Sequence, residues 1–573
     1  MTSPFNDQVT GGQLVAATLE ALGVQRVFGI PGGQTLAVTD ALVDSSKIDF
    51  VTTRHEGAAA CMADAVGRLT RRPGVCIATT GPGATNLLTG IGGAFRDSSP
   101  VIVLTCNNFS WDLGRDDAQA ADHLAIFESL TKWTKLVTRP SMIVQALVEG
   151  YMRAVSGCPG PVLIDLTRDA VEGTIPPSKT PIAPSFGTAL ERTLSGRPHA
   201  DPKQVAEVAA SLVASSAPVI WLGNGARLAG AGDRALTLAH RLDAAIVTTF
   251  NGIGVVPTTD SHVFGPLSRM GTTLSTRVMS DADLVLAVGN SLNGPSTSRW
   301  SLELPPQIVQ VDTEPAQFGG AYAAQTIGLQ GDARAVLAQL LEALPGQQDP
   351  GAAGVRHERI GSLRAEKAAW YANATALRGA PSAIDPTFVV KSLREVTADD
   401  ALLVVDAGNP GIWTHLWEVR RTDTYMKPVG FGNMGFALPA GIAAKLLRPE
   451  REVIVLIGDG SLGMTLAELE TVARTGVDLT VVLLNDCGYG NIRQEQIMKY
   501  GKRTVGVDFG DVDYVAIARA CGLQATRVDD PEELGPVLAG SVASGRAMLV
   551  DIRIDPELSA WAHPLFQAYD SES

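Results

Sequence analysis

The segment from Val453 to Asn491 constrains this chain more than any other. An apolar run, Val453–Ile457, ends at Gly458-Asp459-Gly460-Ser461, and a helical pattern follows from about Met464 to Arg474. A second apolar run opens after Asp478 and Leu479 and ends at Asn485-Asp486-Cys487-Gly488. Strand, helix and strand in that order make a right-handed βαβ unit whose two strands lie parallel and side by side. Their carboxyl ends face one crevice, where open α/β sheets bind ligands, so the pattern brings Asp459 and Asp486 together. Two carboxylates about 4 Å apart repel by roughly 4 kcal/mol at an effective dielectric of about 20. A hard divalent cation removes that repulsion, and Mg²⁺ usually joins one or two carboxylates to phosphate oxygens. Gly458, Gly460 and Ser461 leave backbone N–H groups free at a helix start, where phosphate binds well. The pattern is that of a Mg²⁺–diphosphate site.

The same glycines fit a second pattern. Gly458 to Gly463 satisfies G-x-G-x-x-G after a strand, with Asp486 as a candidate ribose-binding acid, the arrangement of a nicotinamide-dependent dehydrogenase. Asp459 weighs against it, because its charge would sit beside a bare pyrophosphate. A glycine turn with two solvated acids ranks third.

At 573 residues the chain exceeds one hydrophobic core, and about three domains are expected. Apolar runs alternate with helical patterns in three stretches, which predicts an α/β fold of three doubly wound parallel-sheet domains. The first stretch, residues 1–175, has strand-like runs at Arg26–Ile30, Ile48–Thr53, Val75–Thr79, Pro100–Thr105 and Pro161–Asp165. A Pro- and Ser-rich linker is expected over 176–201. The second stretch, 202–344, has runs at Pro218–Leu222, Ala244–Thr248, Leu284–Val288 and Ile308–Val311. A polar, helix-prone connector over 345–385 leads to the third, 386–554, with runs at Leu402–Val405, Val453–Ile457, Thr480–Leu484 and Met548–Ile552. A tail, 555–573, follows. The first and third stretches read as one architecture used twice.

The formal net charge of -14 argues against a nucleic-acid or anionic-membrane partner, because neutralising phosphates needs a positive field. Met1 to Gly12 is polar with no secretory pattern, and no apolar run reaches the length of a membrane span. The six cysteines form no CxxC pair and read as reduced thiols of a cytoplasmic protein.

These residues resemble the thiamine-diphosphate enzymes, and in particular the acetolactate synthase-like family. That family's cofactor motif runs from G-D-G to an Asn-Asn pair. Five further stretches follow the family's order: Phe28 to Gly33; Thr53-Arg54-His55-Glu56 with Ala58 to Ala60; Gly81 to Asn86; Gln119-Ala120-Ala121-Asp122-His123 ahead of Thr131-Lys132-Trp133; and Gly432-Asn433-Met434-Gly435-Phe436 with Leu438-Pro439-Ala440. The resemblance implies a pyrimidine-binding first domain, a Rossmann-like middle domain and a diphosphate-binding third domain. It implies a homodimer or homotetramer, with each active site between the first domain of one subunit and the third of another. It makes Asp459, Asp486 and the Gly488 carbonyl ligands of Mg²⁺, although Asp486 stands where the family usually has Asn. On that ground Asp486→Asn is expected to be tolerated.

The resemblance also assigns roles. Glu56 is the carboxyl that hydrogen-bonds the cofactor's pyrimidine N1′ and promotes loss of the thiazolium C2 proton. Met434 holds the two rings in a V, and the Gly432 carbonyl accepts from the 4′-amino group. Asn409, Gly490 and Asn491 join Gly458, Gly460 and Ser461 near the diphosphate. Gly33, Gln34, Gln119 and His123 are candidates for the substrate side, His55 is expected to be structural, and His415 and His563 carry no assignment. The implied reaction decarboxylates a 2-oxo acid, pyruvate by default, and transfers the remaining fragment to an acceptor carbonyl; a simple decarboxylase releasing an aldehyde is the alternative. Two departures stand out. Leu292-Asn293-Gly294-Pro295 replaces the F-D-D-R stretch of FAD-carrying members, which makes FAD doubtful. Glu495 stands where biosynthetic acetolactate synthases commonly have Trp. An unbalanced carboxylate there favours a neutral acceptor or a proton over a second 2-oxo acid, and so a member other than the biosynthetic enzyme, unless Arg493 or Lys499 turns inward.

Overall fold

A computed structural model describes residues 8–568 apart from 180–185, 346–349, 375–376, 502 and 564. The start of the chain, the middle of the expected linker, parts of the connector and the end of the tail therefore lie outside the described residues. What is described contains three six-stranded parallel sheets flanked by helices, an α/β fold of three domains.

The first sheet holds β1 (Arg26–Gly29), β2 (Asp49–Thr52), β3 (Gly74–Thr79), β4 (Val101–Asn107), β5 (Thr134–Val137) and β6 (Pro161–Thr167), in the order β2-β1-β3-β4-β6-β5. The second holds β7 (Pro218–Leu222), β8 (Ala245–Thr248), β9 (Val263–Pro266), β10 (Leu284–Val288), β11 (Gln307–Asp312) and β12 (Thr326–Gln330), ordered β9-β8-β7-β10-β11-β12. That is the dinucleotide-fold order 3-2-1-4-5-6. The third holds β13 (Leu402–Val405), β14 (Tyr425–Met426), β15 (Val453–Gly458), β16 (Thr480–Asn485), β17 (Gln524–Val528) and β18 (Met548–Arg553), ordered β14-β13-β15-β16-β18-β17. The first and third sheets thus share one strand order. Central strands such as β4, β7 and β16 are buried along their whole length, because helices cover both faces of a parallel sheet and favour a near-continuous apolar run.

By packing, the chain forms two compact units. One comprises residues 1–196, 428–449 and 464–477; the other comprises 197–427, 450–463 and 478–573. In the first unit the helix Ala437–Leu447 packs on the helix Glu56–Thr70, and both are rich in small buried residues, which permits close approach. A buried ionic network fixes the segment just before it. Arg68 lies 2.8 Å from both Asp64 and Asp97, and Asp97 also accepts from the backbone N–H groups of Val429 and Gly430. The expected linker is not all loop. It contains a helix, Phe186–Leu194, whose Leu190 and Leu194 pack on the first core, an apolar pair that its Pro and Ser content concealed.

In the second unit one hydrophobic cluster runs through the second and third domains, from Trp221 to Trp413 and Phe566. The connector forms the helix Pro350–Ala374. The tail is not loose where it is described: Phe566–Ala568 pairs antiparallel with Met270–Thr272. His415 and His563, unassigned from sequence, belong to this packing. His415 Nε2 lies 2.6 Å from the Met270 carbonyl, and burial pushes its imidazole down to about 3, so it is neutral. The His563 ring stacks on Phe566.

Candidate active site

β15 passes into the helix Asp459–Thr465 with no intervening loop, so Asp459 is the first residue beyond the strand. Asp486 is the first beyond β16, the parallel neighbour, with Gly458 paired to Leu484. The expected convergence is present: the two carboxyls lie within hydrogen-bonding reach. The Gly488 N–H donates to Asp459 Oδ2 at 2.9 Å. Cys487, at φ 53°, makes the left-handed turn between the two ligand candidates Asp486 and Gly488. Asp459 is 2% exposed. Burial, and then the Asp486 carboxylate beside it, push Asp459 up to about 7. Burial also raises Asp486, while the Arg493 guanidinium works against that rise. Two acids sharing one desolvated corner cannot both ionise cheaply, and a hard cation relieves both. The donors therefore fit Mg²⁺.

The surrounding loop leaves no room for side chains at two glycines. A Cβ on Gly490 would lie 2.1 Å from Asp486 Oδ2, and one on Gly460 would lie 2.7 Å from the Tyr489 ring. Asn491 Nδ2 donates to Asn409 Oδ1 at 2.8 Å, so these two diphosphate candidates stand together. Gly458 is half-buried and Ser461 lies buried in the first helical turn.

The other candidates lie in the first unit. Glu56 opens its helix after β2 and is largely buried. Its Oε2 accepts from Asn86 Nδ2 at 2.9 Å, and a Cβ on Gly83 would come within 3.4 Å of its Oε1. His55 is structural as expected: its Nδ1 caps the helix by accepting from the Gly57 N–H. Gln34 bridges the carboxyl ends of β3 and β4, accepting from Thr79 at 2.6 Å and donating to Asn108 at 3.1 Å. Gln119 has an exposed side chain at φ 59°, and its carbonyl packs on Gly81, where a Cβ would lie 2.5 Å away. Gly33 lies exposed with open space around it. Gly432, at φ 67°, and the half-buried Met434 follow the segment that Asp97 holds.

The thiamine pyrophosphate enzyme family matches the chain in three stretches: its N-terminal TPP binding domain over residues 9–126, its central domain over 205–340 and its C-terminal TPP binding domain over 406–552. The probable acetolactate synthase large subunit of Methanocaldococcus jannaschii is 31% identical over 95% of this chain and 92% of its own length. The acetolactate synthase isozyme 3 large subunit of Escherichia coli is 31% identical over 96% of this chain and 95% of its own. The chain belongs to the acetolactate synthase-like family of thiamine-pyrophosphate enzymes.

Within this thiamine-pyrophosphate enzyme some residues sit elsewhere than their motifs suggest. His123 is fully buried and cannot face a substrate. Its Nε2 accepts from the Gly81 N–H at 3.1 Å, which places the proton on Nδ1, 2.9 Å from Asp165. It thus fixes the Gly81 loop that borders Glu56. Arg493 turns onto the metal loop rather than toward an acceptor. It lies 3.4 Å from Asp486, 3.0 Å from Asp508, and donates to the carbonyls of Asp486 and Cys487. It balances the extra charge that Asp486 carries relative to the family's Asn. Lys499 is exposed. Glu495 is not an unbalanced carboxylate: Arg269 lies 3.8 Å away, with its guanidinium over Trp561.

Sequence reasoning missed Glu468. Its Oε1 accepts from the backbone N–H groups of Arg54 and His55 at 2.9 and 3.1 Å, locking the turn that aims Glu56. An acid in a polar helical stretch carries the signal of a solvated position, and only the tertiary contact shows otherwise.

Proposed function

We propose that this enzyme uses thiamine diphosphate and Mg²⁺ to decarboxylate a 2-oxo acid, pyruvate by default, and joins the remaining fragment to an acceptor carbonyl. The observation that carries the reading is the desolvated pair Asp459–Asp486 at the ends of adjacent strands, in a chain whose two outer domains match thiamine-pyrophosphate-binding domains. Thiamine diphosphate, when bound, supplies the acidic C2 and the electron sink that decarboxylation needs. Asp459, Asp486 and the Gly488 carbonyl hold Mg²⁺; Asn409, Asn491, Ser461 and the glycines 458, 460 and 490 lie toward the diphosphate. Glu56 holds a proton at the pyrimidine N1′, kept in orientation by Asn86 and by the Glu468-locked turn. Met434 would support the bound cofactor, and the Gly432 carbonyl would accept a hydrogen bond from its amino group. Gly33, Gln34 and Gln119 border the substrate.

Carboligation is favoured over simple decarboxylation because the similar proteins are acetolactate synthases by name. The case for a neutral acceptor weakens once Arg269 offsets Glu495, so a second 2-oxo acid is an admissible acceptor. The dehydrogenase alternative lacks support, since Asp459 is buried against another acid where a pyrophosphate would lie. FAD stays doubtful for want of the F-D-D-R stretch. Among the described residues no helix is long and apolar enough to cross a membrane. A cytoplasmic homodimer or homotetramer, binding small molecules rather than nucleic acid, completes the reading.

The test is cofactor dependence. A preparation stripped by chelation and dialysis should be inactive and should recover only with both thiamine diphosphate and a divalent metal. Full turnover without them overturns the proposal.

A further inference from the structure

The middle domain gathers three histidines and two aspartates at the edge of its sheet, in a cluster that the proposed reaction does not use. His240 lies on the helix Gly232–Leu242, and Asp243 forms its left-handed cap at φ 46°. Asp260 and His262 lie in the turn entering β9, and His357 lies on the helix Pro350–Ala374. His240 Nε2 stands 2.9 Å from Asp260 Oδ2, and His262 Nδ1 stands 3.6 Å from Asp260 Oδ1. The candidate donor atoms of His240, Asp260 and His262 all lie within 4.8 Å of one another.

We propose that His240, Asp260 and His262 form a second metal site, taking one divalent transition-metal ion of the Zn²⁺ class, with solvent completing the coordination. Two imidazoles and a carboxylate are a donor set that suits such an ion. Tetrahedral zinc, with bonds of about 2.0–2.1 Å, sets its ligand atoms about 3.3 Å apart. Closing the site from a spread of up to 4.8 Å therefore takes a shift of about 1.5 Å. His240, whose side chain is 48% exposed, is free to make it.

Asp243 supplies an independent observation. Its Oδ1 lies 3.5 Å from His262 Nε2, on the side of the ring away from Asp260. A carboxylate there favours the proton on Nε2, the outer partner that metal-binding histidines regularly have, and leaves the Nδ1 lone pair to the Ser261 hydroxyl 3.3 Å away, which the ion would displace. The other oxygen of Asp243 lies 3.3 Å from His357 Nδ1.

Two cations border the cluster, and they set its selectivity. Arg364 Nη2 lies 3.5 and 3.3 Å from the two nitrogens of His262, an even spacing that places it against the ring face rather than on one lone pair. Lys367 donates to the Thr258 and Asp260 carbonyls. Their charges offset those of Asp243 and Asp260, so the site attracts an ion through imidazole nitrogen rather than through excess negative charge. It should take Zn²⁺ or Co²⁺ and ignore Mg²⁺ and Ca²⁺. A bound ion would clamp the helix Gly232–Leu242 to the turn ahead of β9.

The experiment uses the holoenzyme saturated with thiamine diphosphate and Mg²⁺, so that the reaction site is filled. Equilibrium dialysis against Zn²⁺, with metal analysis, should show one further ion per chain. Co²⁺ should give the intense visible absorption of a tetrahedral site. His240→Ala, a change at an exposed position, should weaken retention by about tenfold or more while leaving turnover unaltered. Asp243→Asn should weaken it less. Absence of a second ion in the wild type, or retention unchanged in His240→Ala, overturns the site.

Discussion

Glu56 and Asp486 are the two residues at which a single substitution is most informative. Glu56→Gln keeps the size of the side chain and its place in the helix, and should leave the fold and cofactor binding intact. It should slow exchange of the C2 hydrogen by about 10²–10⁴-fold, the usual worth of acid–base assistance. Exchange of C2–H for deuterium, followed by NMR after acid quench, checks it; an unchanged rate leaves Glu56 as an acid in the first turn of its helix, placed there by the helix dipole. Asp486→Asn restores the family's usual ligand, yet here it removes one of the two carboxylates beside Arg493, the one at 3.4 Å, and leaves only Asp508 at 3.0 Å to offset the guanidinium next to the proposed metal position. Mg²⁺ affinity should fall about tenfold, and Asp486→Asn with Arg493→Gln should regain most of the loss, because neighbouring charges are not additive. Equal affinities in the single and double variants would refute the pairing. Asp459 adds a pH dependence. Its metal-free value is raised to about 7, so folding takes up a proton between the ordinary carboxylate value, about 4, and that limit. The metal-free protein therefore loses stability as pH rises through this window. Mg²⁺ displaces the proton, so apparent Mg²⁺ affinity should rise toward pH 7 and level off above it. Titrations between pH 5.5 and 8 read this directly, and a flat profile would contradict it.

At the scale of elements, the central strands and one edge strand, β2, were legible and the other five edges were not. Pro218–Leu222, Leu284–Val288 and Leu402–Val405 match the structure residue for residue. β5, β9, β12, β14 and β17 gave no comparable signal, and all five lie at sheet edges. An edge strand is covered on one side only, so it tolerates Thr-Lys-Leu-Val in β5 or Gln-Ala-Thr-Arg-Val in β17, where the continuous apolar run is lost. The meeting of Asp459 and Asp486 was legible because it depends only on strand ends and on βαβ handedness. Glu468, Arg493 and the burial of His123 were not, because each depends on a partner distant in sequence or on a helix turned back over its own loop. The Arg68–Asp97 network belongs to this scale, since it holds the segment that leads to Gly432 and Met434. Asp97→Ala removes one of the two carboxylates that lie 2.8 Å from the buried Arg68 and takes away the acceptor of the Val429 and Gly430 N–H groups. It should cost about 3 kcal/mol, read as an earlier first transition in urea, with weakened cofactor binding. A wild-type unfolding curve would mean that the segment is held by other contacts.

At the scale of the molecule, one α/β plan serves twice, in the first and third sheets, and the domain between them keeps the dinucleotide-fold order. The acidic surface suits an enzyme of small metabolites. Carbon–carbon bond formation is the decisive step of the proposed reaction, and the fate of pyruvate tests it most directly. The reconstituted enzyme should be given labelled pyruvate alone, then with 2-oxobutyrate or a neutral aldehyde, and CO₂ and all products followed by NMR. CO₂ release should be matched by a new hydroxyketone carrying the two-carbon fragment of pyruvate bonded to the acceptor, and the product should disappear in Glu56→Gln. CO₂ matched by free acetaldehyde with every acceptor would contradict it.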